Sequence, residues 1–319
     1  MKKTILTIIA GLTIISSAIH AQQISQFSQY MVRPVIYNPA AAGHSDAVCV
    51  FGAGRSQWMG YSDEAGVNIN PVNYLVGVSA PVFAINSGIG FQLNSGKLGY
   101  QTRTDFRLDY AYKINIGDDH ILSFGAYGQL SRLSLDIDKL NPLDITDPLL
   151  LKTGVQKDMI PETGFGIFYA SSDRWFAGVT VLNLIGSKAI LGNLEINDQM
   201  TFVAQGQYKF RLIDERFRKF DLAPSFLVKS NFSSTQVELD MLGYLNDKIW
   251  FGAGYRLQDG VILLGGAQIA SFAIGLSYDV STGKVTDATK SGSAELHLSY
   301  CLPIFPKVKR ESGFNTRHL

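Results

Sequence analysis

Residues 104–116 read TDFRLDYAYKINI. The even positions Thr104, Phe106, Leu108, Tyr110, Tyr112, Ile114 and Ile116 carry the apolar side chains, and the odd positions Asp105, Arg107, Asp109, Ala111, Lys113 and Asn115 carry the charges. Period two is the signature of an extended strand, whose successive side chains point to opposite faces. Strands of soluble sandwiches usually run about five to six residues, whereas a tilted strand crossing a bilayer needs about 9–11. The stretch is long enough to cross, with its apolar face towards lipid and its charged face towards a lumen.

The alternation recurs along the chain. Phe202, Ala204, Gly206, Tyr208, Phe210 and Leu212 oppose Gln205, Gln207, Lys209 and Arg211; Ile249, Phe251, Ala253, Tyr255 and Leu257 oppose Arg256; Ala294, Leu296, Leu298 and Tyr300 oppose Glu295, His297 and Ser299. Comparable segments at 46–57, 72–80, 87–95, 100–116, 119–135, 162–172, 174–184, 199–212, 220–231, 234–244, 247–257, 260–268, 270–280 and 292–302 predict an all-β fold, a transmembrane antiparallel β-barrel of about 14 strands. The links carry a second pattern. Gly117-Asp118, Ser172-Asp173 and Asn246-Asp247 are compact turns after even-numbered segments, and the long links, Asn141 to Asp158 clearest among them, follow odd-numbered ones. Bacterial barrels keep their short turns in the periplasm, so both termini are expected there. Asp214 to Lys219 is discordant, a charged link on the short-turn side that is not short; it reads as a solvated turn or as a contact for a periplasmic partner.

The ends complete the organisation. Lys2 and Lys3 followed by the apolar run Ile5 to Ile15 and by Ala21 read as an export signal over residues 1–21. Residues 22–45 form an N-terminal periplasmic or plug segment, 46–302 the barrel, and 303–319 a periplasmic tail carrying Lys307, Lys309, Arg310 and Arg317. The plug segment is too apolar to wave freely, yet Pro34, Pro39 and Gly43 argue against a regular strand or long helix. It is expected to pack into or under the periplasmic mouth, with Phe27, Tyr30, Tyr37, Asn38, Pro39 and Gly43 as candidate plug or partner contacts.

A barrel of this size has an interior wider than side chains alone fill, so the lumen should hold something. Candidate lumen polar residues are Asp105, Arg107, Asp109, Arg211, Arg256, Asp279, Glu295 and His297, with Lys113, Lys209, Glu238 and Asp240 also facing inward. They are expected to pair in a partly wet interior, the alternative being a lumen shaped to grip cargo. His297, alone among them, should simply be hydrogen-bonded. A formal net charge of +1 gives no reason to expect nucleic acid, outer-membrane lipid is the expected surroundings, and no cofactor is implied. G-x-S-x-G, H-E-x-x-H and C-x-x-C are absent, and the pairs Gly52-Gly54, Gly164-Gly166 and Gly252-Gly254 read as strand glycines that ease close packing. His44, His120 and His297 are scattered, which argues against a hydrolase. Cys49 and Cys301 fall in the first and last strands, which barrel closure makes neighbours; register decides whether they bond, and the face of Cys49 is ambiguous because Ala47 to Ala53 is apolar on both sides.

The opening Gln26-Phe27-Ser28-Gln29-Tyr30-Met31, then Val35-Ile36-Tyr37-Asn38-Pro39-Ala40 and Ala42-Gly43, resembles the PorP/SprF family of type IX secretion outer-membrane proteins. The likeness continues in Trp58 and Gly60, Pro224-Ser225 with Lys229, Trp250 with Gly252 and Tyr255-Arg256, Ser277-Tyr278-Asp279, and Gly292-Ser293 with Glu295. The sequence departs from the pattern at Ala294-Glu295, where His-Glu is expected, and in its tail beyond Leu302. The resemblance implies a non-enzymatic component of a secretion and gliding machine that helps export or anchor adhesin-like surface cargo. Its implied partners are the secreted cargo protein and the periplasmic and outer-membrane components of that system. A passive porin or hydrophobic-solute channel shares the architecture and is the alternative.

Overall fold

The computed structural model describes residues 24–63, 66–117, 119–140, 153–171, 174–282 and 291–304. The export signal, most of the Asn141 to Asp158 loop and the tail past Ile304 lie outside the described residues.

The strands are β1 Ala47–Ser56, β2 Val72–Val82, β3 Ser87–Leu98, β4 Gln101–Ile116, β5 His120–Asp136, β6 Val155–Ser171, β7 Trp175–Leu182, β8 Lys188–Leu191, β9 Leu194–Asn197, β10 Thr201–Tyr208, β11 Phe210–Asp214, β12 Lys219–Ser230, β13 Thr235–Leu245, β14 Ile249–Arg256, β15 Gly260–Ile269, β16 Phe272–Ser281 and β17 Ser293–Pro303. Fifteen of them form one antiparallel sheet that closes on itself; β10 and β11 both pair with β12 and act as one strand interrupted at Lys209, so the barrel has 14 staves. Closure is made by β1 against β17, from Ala47 opposite Pro303 to Ser56 opposite Ala294. Among the described residues no helix is long and apolar enough to cross a membrane.

The period-two reading holds in three dimensions. In β4, Leu108, Tyr110 and Tyr112 are exposed on the outer wall while Arg107, Asp109 and Ala111 are buried inside. One end of the barrel, here the terminal end, holds the start of β1 and the end of β17; the other is the loop end. The Asp214 to Lys219 link is shorter than its sequence suggests, because β11 runs to Asp214 and β12 starts at Lys219. Glu215 and Arg218 close the remaining turn by exchanging backbone hydrogen bonds of 3.0 and 3.3 Å. Conversely, Val155–Asp158, read as loop, extend β6 and pair with Leu133–Asp136 of β5.

The loop end carries a hairpin, β8–β9, that the periodicity missed. Its Ala189 and Leu191 bury against Leu133, Leu135, Ile137 and Ile160 in a small apolar cluster separate from the main core. Asp198, just after β9, is clamped by both terminal nitrogens of Arg103, at 2.5 and 2.7 Å. A charge-assisted bidentate pair of this kind fixes direction as well as position, and it holds the hairpin over the loop-end mouth.

Candidate functional site, a lumen filled by its own chain

The lumen is occupied by residues 24–43 of the same chain. Phe27, Tyr30, Met31, Val35, Ile36 and Tyr37 are all buried, and full burial of such side chains is worth about 1.5–3 kcal/mol each. They pack on an apolar inner stripe that includes Phe51, Ala53, Tyr127, Phe168, Leu227, Leu242, Trp250 and Ile262. The interior therefore carries more apolar packing than the inward charges alone suggest. The apolar inner face of Ala47 to Ala53, which left the orientation of Cys49 open, exists to receive this segment.

Its route explains its prolines and glycines. The segment begins near the loop end, where the Ser25 hydroxyl donates to Asn73 Oδ1 at 3.0 Å. It descends to Arg33, whose Nη2 donates to Ser299 at the terminal end, 3.0 Å. It folds back through two 3-10 turns, Pro34–Ile36 and Pro39–Ala41, each with proline first, where its fixed φ suits the turn and no N–H is wasted. Asn38 caps the second turn by accepting from the Ala40 N–H at 2.9 Å and donates through Nδ2 to the Ile167 carbonyl at 2.9 Å. The chain leaves at Gly43 in the left-handed region, φ 60°, where its N–H donates to Ser79 Oγ and its carbonyl accepts from Lys113 Nζ. The wall is cut away to match. A Cβ at Gly88 or Gly125 would overlap the backbone of Ala42 or Ala40, and one at Gly166 or Gly178 the Asn38 side chain. The plug thus runs through the lumen from the loop end to the terminal end.

The inward charges hold the plug as well as one another. Arg55 Nη2 lies 2.5 Å from Asp279 and its Nη1 3.3 Å from Glu295; Arg256 reaches Glu238 and Asp279 at 2.7 Å each and Asp259 at 2.9 Å. Both guanidiniums donate to the Ser28 hydroxyl at 2.9 Å, and Glu295 accepts the backbone N–H groups of Ser28 at 2.7 Å and Gln29 at 3.1 Å. Gln26 donates to Glu238 at 2.9 Å and accepts from Lys229, and Tyr30 donates to Asp240 at 2.8 Å. On the opposite wall Arg107 pairs with Asp109 at 2.7 Å, stands 4.0 Å over the Tyr127 ring and donates to the Ile36 carbonyl at 3.5 Å.

Asp279, Glu295 and Arg256 therefore meet at one point, and Arg107 with Asp109 at a second. Asp105 pairs with Arg103 at 2.7 Å nearer the loop end. Arg211 does not join either group; it sits at the terminal mouth, about a third exposed, 3.2 Å from Asp221 and 3.7 Å from Asp214. His297 is buried at 1% exposure, and neither ring nitrogen has a hydrogen-bond partner among the described residues. No group of metal ligands exists among the described residues. Arg55, the centre of the network, was missed because its strand is apolar on both faces; its odd-numbered phase with Phe51 and Ala53 was the available signal. Cys49 and Cys301 stand directly opposite, 4.1 Å apart at Cα, and are joined in a disulfide across the closing seam.

The sequence model for the family described as type IX secretion system membrane protein PorP/SprF matches residues 19–300. No curated protein matches the sequence. Among solved structures the chain is similar to the CymD monoaromatic hydrocarbon channel, at 10% identity over 89% of this chain and 94% of that one, TM-score 0.49. It is also similar to a Pseudomonas aeruginosa FadL homologue, at 10% identity over 84% and 93%, TM-score 0.41. It spans only 60% of the length of CdiB from Acinetobacter baumannii, matched over 80% of this chain at 8% identity and TM-score 0.36.

Proposed function

This chain belongs to the PorP/SprF family of type IX secretion system membrane proteins and is a multi-pass barrel of the outer membrane, and from that premise we propose that it is a non-enzymatic component that helps export or anchor specific adhesin-like cargo at the cell surface, in service of secretion and gliding. Its partners are the cargo protein and periplasmic and outer-membrane components of the system. Both chain ends face the periplasm, a reading supported by the links: every link at the terminal end is short, and the long ones, with the β8–β9 hairpin, gather at the loop end.

The observation that carries the proposal is the filled lumen. With residues 24–43 buried in the barrel and tied to both walls, the interior offers no path for a solute or a polypeptide, which counts against a passive porin or hydrophobic-solute channel. Cargo then meets the protein at its mouths and loops, where no catalytic constellation is required. Two measurements test this. Purified protein in planar bilayers should be silent, and affinity purification from detergent-solubilised outer membranes should co-elute secretion-system components and a large surface protein. A steady ohmic conductance, or elution of the barrel alone, would overturn the reading.

A further inference from the structure

We propose that the cavity at the terminal mouth of the barrel is a receptor for a carboxylate of a polypeptide presented from that side of the membrane, an acidic side chain or chain terminus with an apolar residue next to it. The cavity, of about 230 Å³, lies between the plug and the inner wall. Arg33, His44, Arg174 and Lys209 supply its basic groups, Met31, Val32, Val35, Trp175 and Phe176 its apolar ones, and among the described residues its lining contains no aspartate or glutamate.

Arg33 is the anomaly. Arg55, Arg103, Arg107 and Arg256, the other arginines of the lumen, each face at least one carboxylate at 2.7 Å or less. Among the described residues Arg33 donates only to Ser299 Oγ at 3.0 Å and Cys301 Sγ at 2.7 Å, and its buried Nε has no partner. Burial pulls its guanidinium down to about 10, with no acid pushing back. A desolvated cation without a counter-charge is costly, and a planar guanidinium is the side chain best shaped to take a carboxylate by two parallel bonds. Lys209, half-buried, stands 4.5 Å over the Tyr244 ring and is in no ion pair among the described residues. His44, held neutral, adds a hydrogen-bonding group and no charge.

Three arguments fix the occupant. The cavity is lined from the inner face of the barrel, including Cys49, Ser79 and Gln207, so a lipid headgroup would have to leave the bilayer to reach it. The chain's own tail beyond Pro303 is basic, with Lys307, Lys309, Arg310 and Arg317 against Glu311, a poorer match to a cationic cavity than an acidic segment of another chain. The apolar wall beside the cations suits a peptide's neighbouring side chain better than a bare inorganic anion. The inference stands on the lumen geometry and not on the secretion role, and its test needs neither cargo nor machinery.

The full-length protein folded in detergent is titrated calorimetrically with two capped dipeptides, acetyl-Phe-Asp-amide and acetyl-Phe-Asn-amide. The aspartate peptide should bind at least about tenfold more tightly, since a lost charge-assisted hydrogen bond is worth that much or more. Arg33→Gln should weaken it about tenfold, and the combined rim substitutions Arg174→Gln and Lys209→Gln several-fold, with affinity falling as salt rises. If Arg33→Gln does not fold, the rim pair decides. Equal binding of the two peptides, no binding at all, or binding untouched by the rim pair refutes the site. Displacement of the peptide by inorganic phosphate or phosphatidylglycerol at equal concentration would reassign it to a small anion or to lipid and overturn the polypeptide receptor.

Discussion

Replacing Arg256 with methionine removes a guanidinium but keeps a flexible apolar chain in its place, and the structure shows which neighbour suffers. Asp279 retains Arg55 at 2.5 Å, and Asp259 lies at the edge of the network with its side chain 20% exposed. Glu238 has less relief: it is 1% exposed, Arg256 Nε at 2.7 Å is its only ion-pair partner among the described residues, and what remains is the Gln26 amide at 2.9 Å and the more distant charge of Lys229. Stranding one member of a buried pair costs about 3–5 kcal/mol, so Arg256→Met should destabilise the folded barrel by about that amount in denaturant titrations read by loss of the compact band on unheated gels. Adding Glu238→Gln to the same chain removes the stranded charge and should return about 1–3 kcal/mol, a coupling expected only of residues in contact. The exposed pair Lys188–Glu195, with side chains 63% and 50% exposed, is the control; Lys188→Met should change stability by less than about 1 kcal/mol. If Arg256→Met costs under about 1 kcal/mol, or Glu238→Gln deepens the loss, the network is not what holds plug to wall.

Reducing the seam disulfide, or Cys301→Ser, should destabilise the barrel by up to about 5.5 kcal/mol, the chain-entropy value for a closed loop of 252 residues, and non-reducing peptide mass mapping should recover Cys49 linked to Cys301. Gly125→Val should drive a side chain into Ala40 and Pro39, costing about 1–3 kcal/mol from overpacking and producing conductance steps absent from the parent protein in planar bilayers. At the terminal mouth, burial first and Lys113 second pull the His44 pKa from 6.5 to about 4. The folded state thus resists protonating a residue that the unfolded chain protonates readily, so stability is flat above pH 6.5, falls as the pH drops from 6.5 towards 4, and levels below. His44→Gln should flatten that acid limb in pH-resolved denaturation.

The barrel was legible because lipid imposes a simple rule on every strand, apolar outside at each second residue, and β4 obeys it from Phe106 to Ile116. The links were legible for a similar reason, since turn chemistry is local. What the period could not convey was the interior. A lumen that faces water would be polar on every inward residue, whereas this one is polar at Arg107, Asp109, Arg256 and Glu295 and apolar at Phe51, Tyr127 and Phe168. That mixture is set by what fills it, a segment far away along the chain. The aromatic run Phe27 to Tyr37 announced that it must be buried, but that Gly88, Gly125, Gly166 and Gly178 make room for it emerges only from the fold. The β8–β9 hairpin was invisible because its strands are four residues each, too short to show a period.

The path of the plug also constrains how the molecule can be assembled. Residues 24–26 lie towards the loop end, Gly43 lies at the terminal mouth, and β1, which starts at Ala47, must then zip to β17 to close the seam. A finished barrel is hard to thread with a segment whose Ser28 is gripped by Arg55 from β1, Arg256 from β14, Asp279 from β16 and Glu295 from β17, because Arg55 joins the other three, which β14 to β17 already hold near one another, only when the two ends of the sheet meet. Plug insertion and seam closure are therefore one event. The wall supplies charges that would be costly if left unpaired in a dry lumen, the plug supplies the hydroxyl and backbone N–H groups that satisfy them, and the Cys49–Cys301 bond forms on the one strand pair whose register exists only after both have arrived.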